Sequence, residues 1–288
     1  MREQGIKKQR SMMSETFYRI CQSRLAVICM IIFTAIVVLV CLADVIAPGG
    51  YDEQHIADAF KKPSLQHIFG TDNFGRDIFV RVLYGGRITL LVSIAATMVA
   101  TFLGLLFGCV AGYFGGRVDN IIMRIMDVFM AIPSMILAIV IATTMGSGLA
   151  TTVLAVAIGA VPGFVRVVRA PILSIRTCEY VESARAIGAK PTWIIIHHII
   201  PNIMAQVIVQ VTLGIANSII SVAGLSFLGL GVQPPTPEWG TMLSQARNYM
   251  MRSMYMVTCP GIAVVLSVIS LNVIGDALRD ALDPRLKN

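Results

Sequence analysis

Residues 128–165 read VFMAIPSMILAIVIATTMGSGLATTVLAVAIGAVPGFV, 38 residues between Asp127 and Arg166 without an Asp, Glu, Lys or Arg. About 18 apolar residues suffice for a helix to cross a bilayer. A single helix of this length would reach about 57 Å, nearly twice the roughly 30 Å hydrocarbon layer. The run must therefore fold back, and Gly146-Ser147-Gly148 supplies the turn. Two spans are predicted here, at 128–145 and 149–166.

The pattern recurs along the 288-residue chain. Charge-free runs occupy 25–43, 88–116, 191–237 and 253–275. The 191–237 run is again too long for one crossing. It holds His197, His198 and Pro201 early, and Gly229, Gly231 and Pro234-Pro235-Thr236-Pro237 late. Its apolar middle predicts a span at 203–225. With spans at 25–47, 88–112 and 254–275 the total is six. Composition agrees: 14% charged against about 25% in soluble domains, 56% hydrophobic and a mean hydropathy of +0.76. These values exclude a disordered chain and disfavour a water-soluble globule. The expected fold class is an all-α integral membrane protein with six transmembrane helices.

Six crossings put both termini on one side. The segments 1–24, 113–127, 166–202 and 276–288 carry 16 Lys and Arg, and the other side carries seven. Basic loops face the cytoplasm. The reading is therefore a cytoplasmic tail at 1–24, a first span at 25–47 and an extracytoplasmic loop at 48–87. A five-helix core at 88–278 follows, with a cytoplasmic loop at 169–202 and a cytoplasmic tail at 279–288. The net charge of +7 is accounted for by loops facing anionic lipid, with no nucleic acid. The first apolar run reads as a retained span, since it is longer than a signal-peptide core and no clean small-x-small site follows it. The six cysteines form no C-x-x-C pair and read as small apolar filler.

Several chemistries have no residues to perform them. There is no G-x-x-x-x-G-K-[ST] phosphate loop, no H-E-x-x-H and no G-x-S-x-G. No catalytic, cofactor-binding or metal-ligating set is predicted. His197 and His198 are adjacent and are expected on different helix faces. A membrane-embedded enzyme remains as the alternative class, with Asp127 and Asp276 as its acid pair. Both lie near inner span ends, three residues from Arg124 and Arg279, a spacing that allows pairing within the helix. Gly104, Gly108 and Gly112 recur every fourth residue and predict a smooth face for close helix packing, a pore lining being the sharper alternative. Gly159 and Gly163 repeat that spacing. Pro133 and Pro162 interrupt predicted spans, as happens where neighbouring helices or a cavity satisfy the backbone.

The most informative inner segment runs from Arg176 to Asn202. Glu179 to Ala186 is helix-prone, Gly188 suits a helix C-terminal turn, and Pro191 suits the first turn of a second helix. Pro201 marks the start of the next span. A short helix, a turn and a second helix are thus offered to the basic side, as a docking surface requires. Glu182-Ser183-Ala184, Gly188 and Pro201 resemble the EAA loop of ABC importer permeases, E-A-A-x3-G-x9-I-x-L-P. Ser183, His198 and Ile200 depart from that pattern. His67-Ile-Phe-Gly70-Thr-Asp-Asn-Phe-Gly75-Arg76-Asp77 resembles the outer-loop signature of the dipeptide/oligopeptide group. Leu225-Ser-Phe-Leu-Gly-Leu-Gly231-Val-Gln-Pro-Pro-Thr-Pro-Glu-Trp-Gly240 resembles its loop after span five, and Gly275 to Pro284 its closing segment.

The resemblance is to the C-type membrane subunit of that group, with a type I ABC importer transmembrane fold in the bacterial inner membrane. It implies four kinds of partner: a B-type permease, two cytoplasmic ABC ATPases, an extracytoplasmic substrate-binding protein and the bilayer. It also implies that ATP and Mg are held by the ATPases, so this chain needs no cofactor. Small peptides are the expected cargo, with nickel or another small solute as the alternative. Outer segments 48–87 and 226–255 are candidates for meeting the binding protein, with Trp239 at headgroup level. No charge cluster within the spans suggests a tight ion site.

Overall fold

Apolar length and local capping together set the helices in the computed structural model, which describes residues 18–282. No strand forms among the described residues; Thr71 and Asp77 make one isolated bridge. The charged ends of the proposed tails, Arg2 to Arg10 and Arg285 to Lys287, lie outside the described residues.

Helix α1 (Arg24–Cys41) starts where the Ser23 hydroxyl accepts from Ala26 N–H, at 3.3 Å. It stops at Leu42, short of the expected 47, and a separate turn, α2 (Ala43–Ile46), follows. Arg87 accounts for the break. Its guanidinium donates to the Val40 and Cys41 carbonyls, both at 2.7 Å, and to Asp44 at 2.8 Å. The Arg87 hydrogen bond, then that of Tyr84, holds the Asp44 carboxyl below its ordinary range.

Helix α3 (Ile78–Phe114) begins ten residues before the expected 88. The Asp77 carboxylate caps it, accepting from Phe79 N–H at 2.8 Å and Val80 N–H at 3.2 Å. A boundary drawn at the charge of Arg87 misses this, because Arg81 and Arg87 both find partners inside the fold.

The expected span at 128–145 is corrected. Helix α4 (Gly116–Ala131) and helix α5 (Ser134–Met145) meet at 86°. Pro133 has no N–H to continue the ladder, and it forces Ile132 into the extended region at φ −97°. Twelve residues of α5 reach only about 18 Å, so it cannot cross alone. Among the described residues five helices have spanning length and apolarity, with a sixth crossing if the bent pair counts as one.

Helix α6 (Leu149–Ile175) runs past the expected end at 166 through Pro162 and Pro171. Its arginines are paired across helices: Arg166 with Asp127 at 2.6 Å, and Arg169 through two nitrogens with Asp119 on α4. Asp127 therefore does not pair with Arg124, and among the described residues Asp276 and Arg279 do not pair with each other. Tertiary approach supplied a better partner than the same helix did. Helices α7 (Glu179–Ala186) and α8 (Pro191–Ile194) follow. A wide π-type turn at Ile195–Ile199 joins α8 to α9 (Ile200–Phe227), giving one rod over Pro191–Phe227. The short α10 (Trp239–Ala246) and the last span α11 (Tyr255–Leu282) complete the chain; α11 outruns the expected 275.

Helices α3 and α6 run side by side in parallel. A Cβ on Gly104 would lie 2.4 Å from Phe164 Cβ, on Gly108 2.7 Å from Val168, and on Gly112 2.8 Å from Ile172. The glycine column thus receives a ridge of large residues at the same four-residue step. Gly159 and Gly163 are not a second such column: Gly159 lies against Ser134, and Gly163 faces open space. Gly108→Leu is therefore expected to cost about 1–3 kcal/mol or more by overpacking. The detergent-solubilised protein should melt lower, while Gly163→Ala melts as wild type. Equal melting temperatures for the two variants would refute this account of the seam.

Candidate coupling surface and outer cap

At the end of the bundle that carries α7, Gly188 sits at φ +81°, a left-handed conformation that glycine adopts freely. Its N–H donates to the Arg185 carbonyl at 3.0 Å, and Ala189 N–H donates to the Ala184 carbonyl at 3.1 Å. These two bonds make a Schellman cap on α7, which turns the chain sharply into Pro191 at the start of α8. Helix α7 has two faces. Val181 and Ala184 are buried among Cys109 and Tyr113 of α3, Val168 and Ile172 of α6, and Ile194, Ile199, Ile203 and Val207. Glu182, Ser183, Arg185 and Gly188 are exposed, and Ile187 is 85% exposed. Three long helices therefore share one apolar seat with α7, and its other face is bare.

Pro201 stands in the first turn of α9, where the spacing predicts the start of the span. It stands inside the rod just after the wide turn, which absorbs the clash and the lost donor that proline brings. The same turn changes the histidines. Both rings reach Trp193: His197 stacks on it at 4.7 Å and His198 meets it edge-on at 5.0 Å. The two were expected on different faces of a regular helix; the extra residue in the turn rotates them together. Burial, the largest cause, pushes the Tyr180 phenol upward, so it stays protonated beside His198.

The opposite end carries a cap that hydropathy did not reveal. Glu238 is fully buried and caps α10. Its carboxylate accepts from the Thr89 hydroxyl at 2.9 Å and from Thr241 N–H at 3.0 Å. Trp239 is 1% exposed, and its indole N–H donates to the Val82 carbonyl at 2.9 Å. The expected headgroup position for Trp239 is therefore corrected. Gly85 and Gly86 leave the room for its ring: a Cβ on Gly86 would lie 2.9 Å from it. Gly240 lies against the Ala223 backbone, with 2.2 Å from a Cβ to that carbonyl oxygen. A buried charge group adjoins this cap. Arg76 donates to Asp72 at 2.7 Å and Asp52 at 3.3 Å, and Arg81 donates to Gln245 at 3.3 Å. Tyr255 donates to the Thr71 carbonyl at 3.3 Å. Thr71 of the 67–77 segment is thus tied to α11, and Glu238 and Trp239 of the 225–240 segment are tied to α3, at the same end of the bundle. The E-W-G triplet at 238–240 was the available signal: an acid N-cap before a bulky residue and a glycine.

Residues 104–288 match the family described as binding-protein-dependent transport system inner membrane component. The chain belongs to this family. Residues 11–63 match a second description, the N-terminal transmembrane domain of oligopeptide transport permease C. The permease is 42% identical over 274 residues to a dipeptide transport system permease of Alkalihalophilus pseudofirmus, covering 95% of this chain and 90% of that one. It is 44% identical over 221 residues to a di/tripeptide transport system permease of Pseudomonas aeruginosa, with 77% and 73% covered. It is 46% identical over 226 residues to a glutathione transport system permease of Pectobacterium atrosepticum, with 78% and 75% covered. The inward-facing MetNI methionine ABC transporter shares the fold: TM-score 0.53, 21% identity, 69% of this chain and 97% of that chain. The permease is thus a multi-pass inner membrane transport subunit with the type I ABC importer fold.

Proposed function

We propose that this permease is the C-type membrane subunit of a binding-protein-dependent ABC importer for small peptides. One observation carries the reading: α7 is seated by Val181 and Ala184 on one end of α3, α6 and α9, while Glu182, Ser183, Arg185 and Ile187 stay exposed. A force applied to the free face moves three spans together, because close-packed interiors transmit displacement rather than absorb it. Two cytoplasmic ATPases, which hold ATP and Mg, supply that force at Glu182, Ser183 and Gly188, while Ala184, expected among the coupling residues, is buried and passes it to the spans, with Pro201 at the joint to α9. A B-type permease completes the path, and an extracytoplasmic binding protein delivers cargo to the end bearing α10. Closure of the ATPases then shifts the population between inward- and outward-open arrangements. Both termini lie in the cytoplasm, as the basic loops favour. Peptide cargo is supported by relatives named for dipeptides, di/tripeptides and glutathione.

The test is import into proteoliposomes holding the whole complex. ATP-dependent uptake of radiolabelled dialanine, delivered by the binding protein, is expected. Uptake that is absent, or that proceeds equally without ATP, overturns the proposal.

A further inference from the structure

The spanning helices turn chemically different faces outward. Exposed residues on α3 include Leu91, Met98 and Phe102, and on α11 Ile262, Leu266 and Ile269. Such faces suit lipid tails. Helix α9 differs. Gln206 and Asn217 are exposed, and Gln210 and Ser221 are half-buried. At 3.6 residues per turn the four fall on one stripe about 60° wide and about 22 Å long, most of the hydrocarbon thickness. The adjacent face of α9 is committed to α3, where Ser218 meets Thr97 at 2.9 Å. No hydrogen bond among the described residues engages the carboxamides of Gln206, Gln210 or Asn217. A carboxamide turned to lipid would lose all its water partners and gain none, so such a column belongs beside water or a polar ligand.

We propose that this stripe lines the cargo route and holds the backbone of an extended peptide. The inference rests on the peptide-importer reading above. Each carboxamide offers two donors and an acceptor, the complement of a peptide C=O and N–H. Gln206 to Gln210, and Asn217 to Ser221, are each about 6 Å apart along the axis. Every second residue of an extended peptide is about 6.7 Å along, on the same side. The fit is to the backbone, and no charged residue stands in the stripe to select among cargo side chains. Ser221 donates to the Asn217 carbonyl, which leaves its hydroxyl oxygen as an acceptor.

The test uses the assembled complex with the six native cysteines replaced and dialanine import confirmed. Gln206→Cys, Gln210→Cys and Asn217→Cys are compared with Ile269→Cys for reaction with a membrane-impermeant thiol reagent. The stripe positions are expected to react about tenfold faster or more, since labelling requires the hydrated thiolate, and dialanine with its binding protein and ATP should slow them. Gln210→Leu and Asn217→Leu should each reduce import several-fold, for dipeptides of either side-chain charge alike. Stripe cysteines that stay inert while the complex still imports dialanine would overturn this inference alone, and would place the column against the second permease. Labelling that cargo does not slow would overturn the backbone contact. A wild-type complex that imports no dialanine removes the peptide reading and this inference with it.

Discussion

Gly188→Pro is expected to abolish peptide uptake while leaving the complex assembled and its ATPases turning over. Proline holds φ near −65°, and Gly188 sits at +81°. The substitution also deletes the N–H that bonds the Arg185 carbonyl, and it opens the turn that brings Ala189 back to Ala184. The bare face of α7 then loses its angle to α8 and to the rod beyond. The buried face is untouched, because Val181 and Ala184 belong to the apolar seat and Gly188 touches nothing within 4 Å of a Cβ. Insertion and folding should therefore survive. Uptake is expected to drop at least about tenfold, with hydrolysis near wild type, since a misplaced lever loses transmitted work rather than nucleotide binding. Gly188→Asn, which tolerates the left-handed region, should retain most uptake, and Gly188→Ala should fall between, at roughly 1–2 kcal/mol of strain. The measurement is paired: ATP hydrolysis and dialanine import by the same proteoliposomes. Wild-type import by the proline variant would end the lever account.

Glu238→Ala is the second large effect, and it acts on stability. The carboxylate is fully buried and caps α10, and Thr241 N–H depends on it. Its removal loses a helix cap, worth about 0.5–2 kcal/mol, and leaves a buried donor unmet, at about 1–3 kcal/mol. Thr89 is spared part of the loss, since its hydroxyl can donate to the Gly85 carbonyl at 3.0 Å. A destabilisation of about 2–3 kcal/mol follows. Glu238→Gln keeps an acceptor and should lose about half as much. Thermal unfolding of the purified protein reads the difference. With Trp193 replaced by Phe, the remaining indole of Trp239 reports whether its bond to the Val82 carbonyl is kept. An alanine variant as stable as wild type, with unchanged Trp239 emission, would show that the cap does not hold this end of the bundle.

The two variants mark how far the sequence could be read. At the α7 end, Gly188 and Pro191 were legible because a left-handed turn and a first-turn proline are local demands of the backbone. At the α10 end, nothing in the hydropathy pattern set Glu238 apart from other loop acids. Its role depends on Thr89, which lies 149 residues away.

Charge-free length alone determined that the chain crosses a membrane as helices, since a bilayer admits no other backbone for such runs. Four-residue glycine spacing likewise set one smooth helix face. Three features were left to the tertiary structure. Helix ends moved by up to ten residues because Asp77, Arg81 and Arg87 found partners inside the fold. Asp127 chose Arg166 over its own helix's Arg124. Trp239 left the headgroups for a seat over Gly85 and Gly86. In each case a polar or bulky group was satisfied by a residue distant in the chain, and only three-dimensional approach decides which one that is.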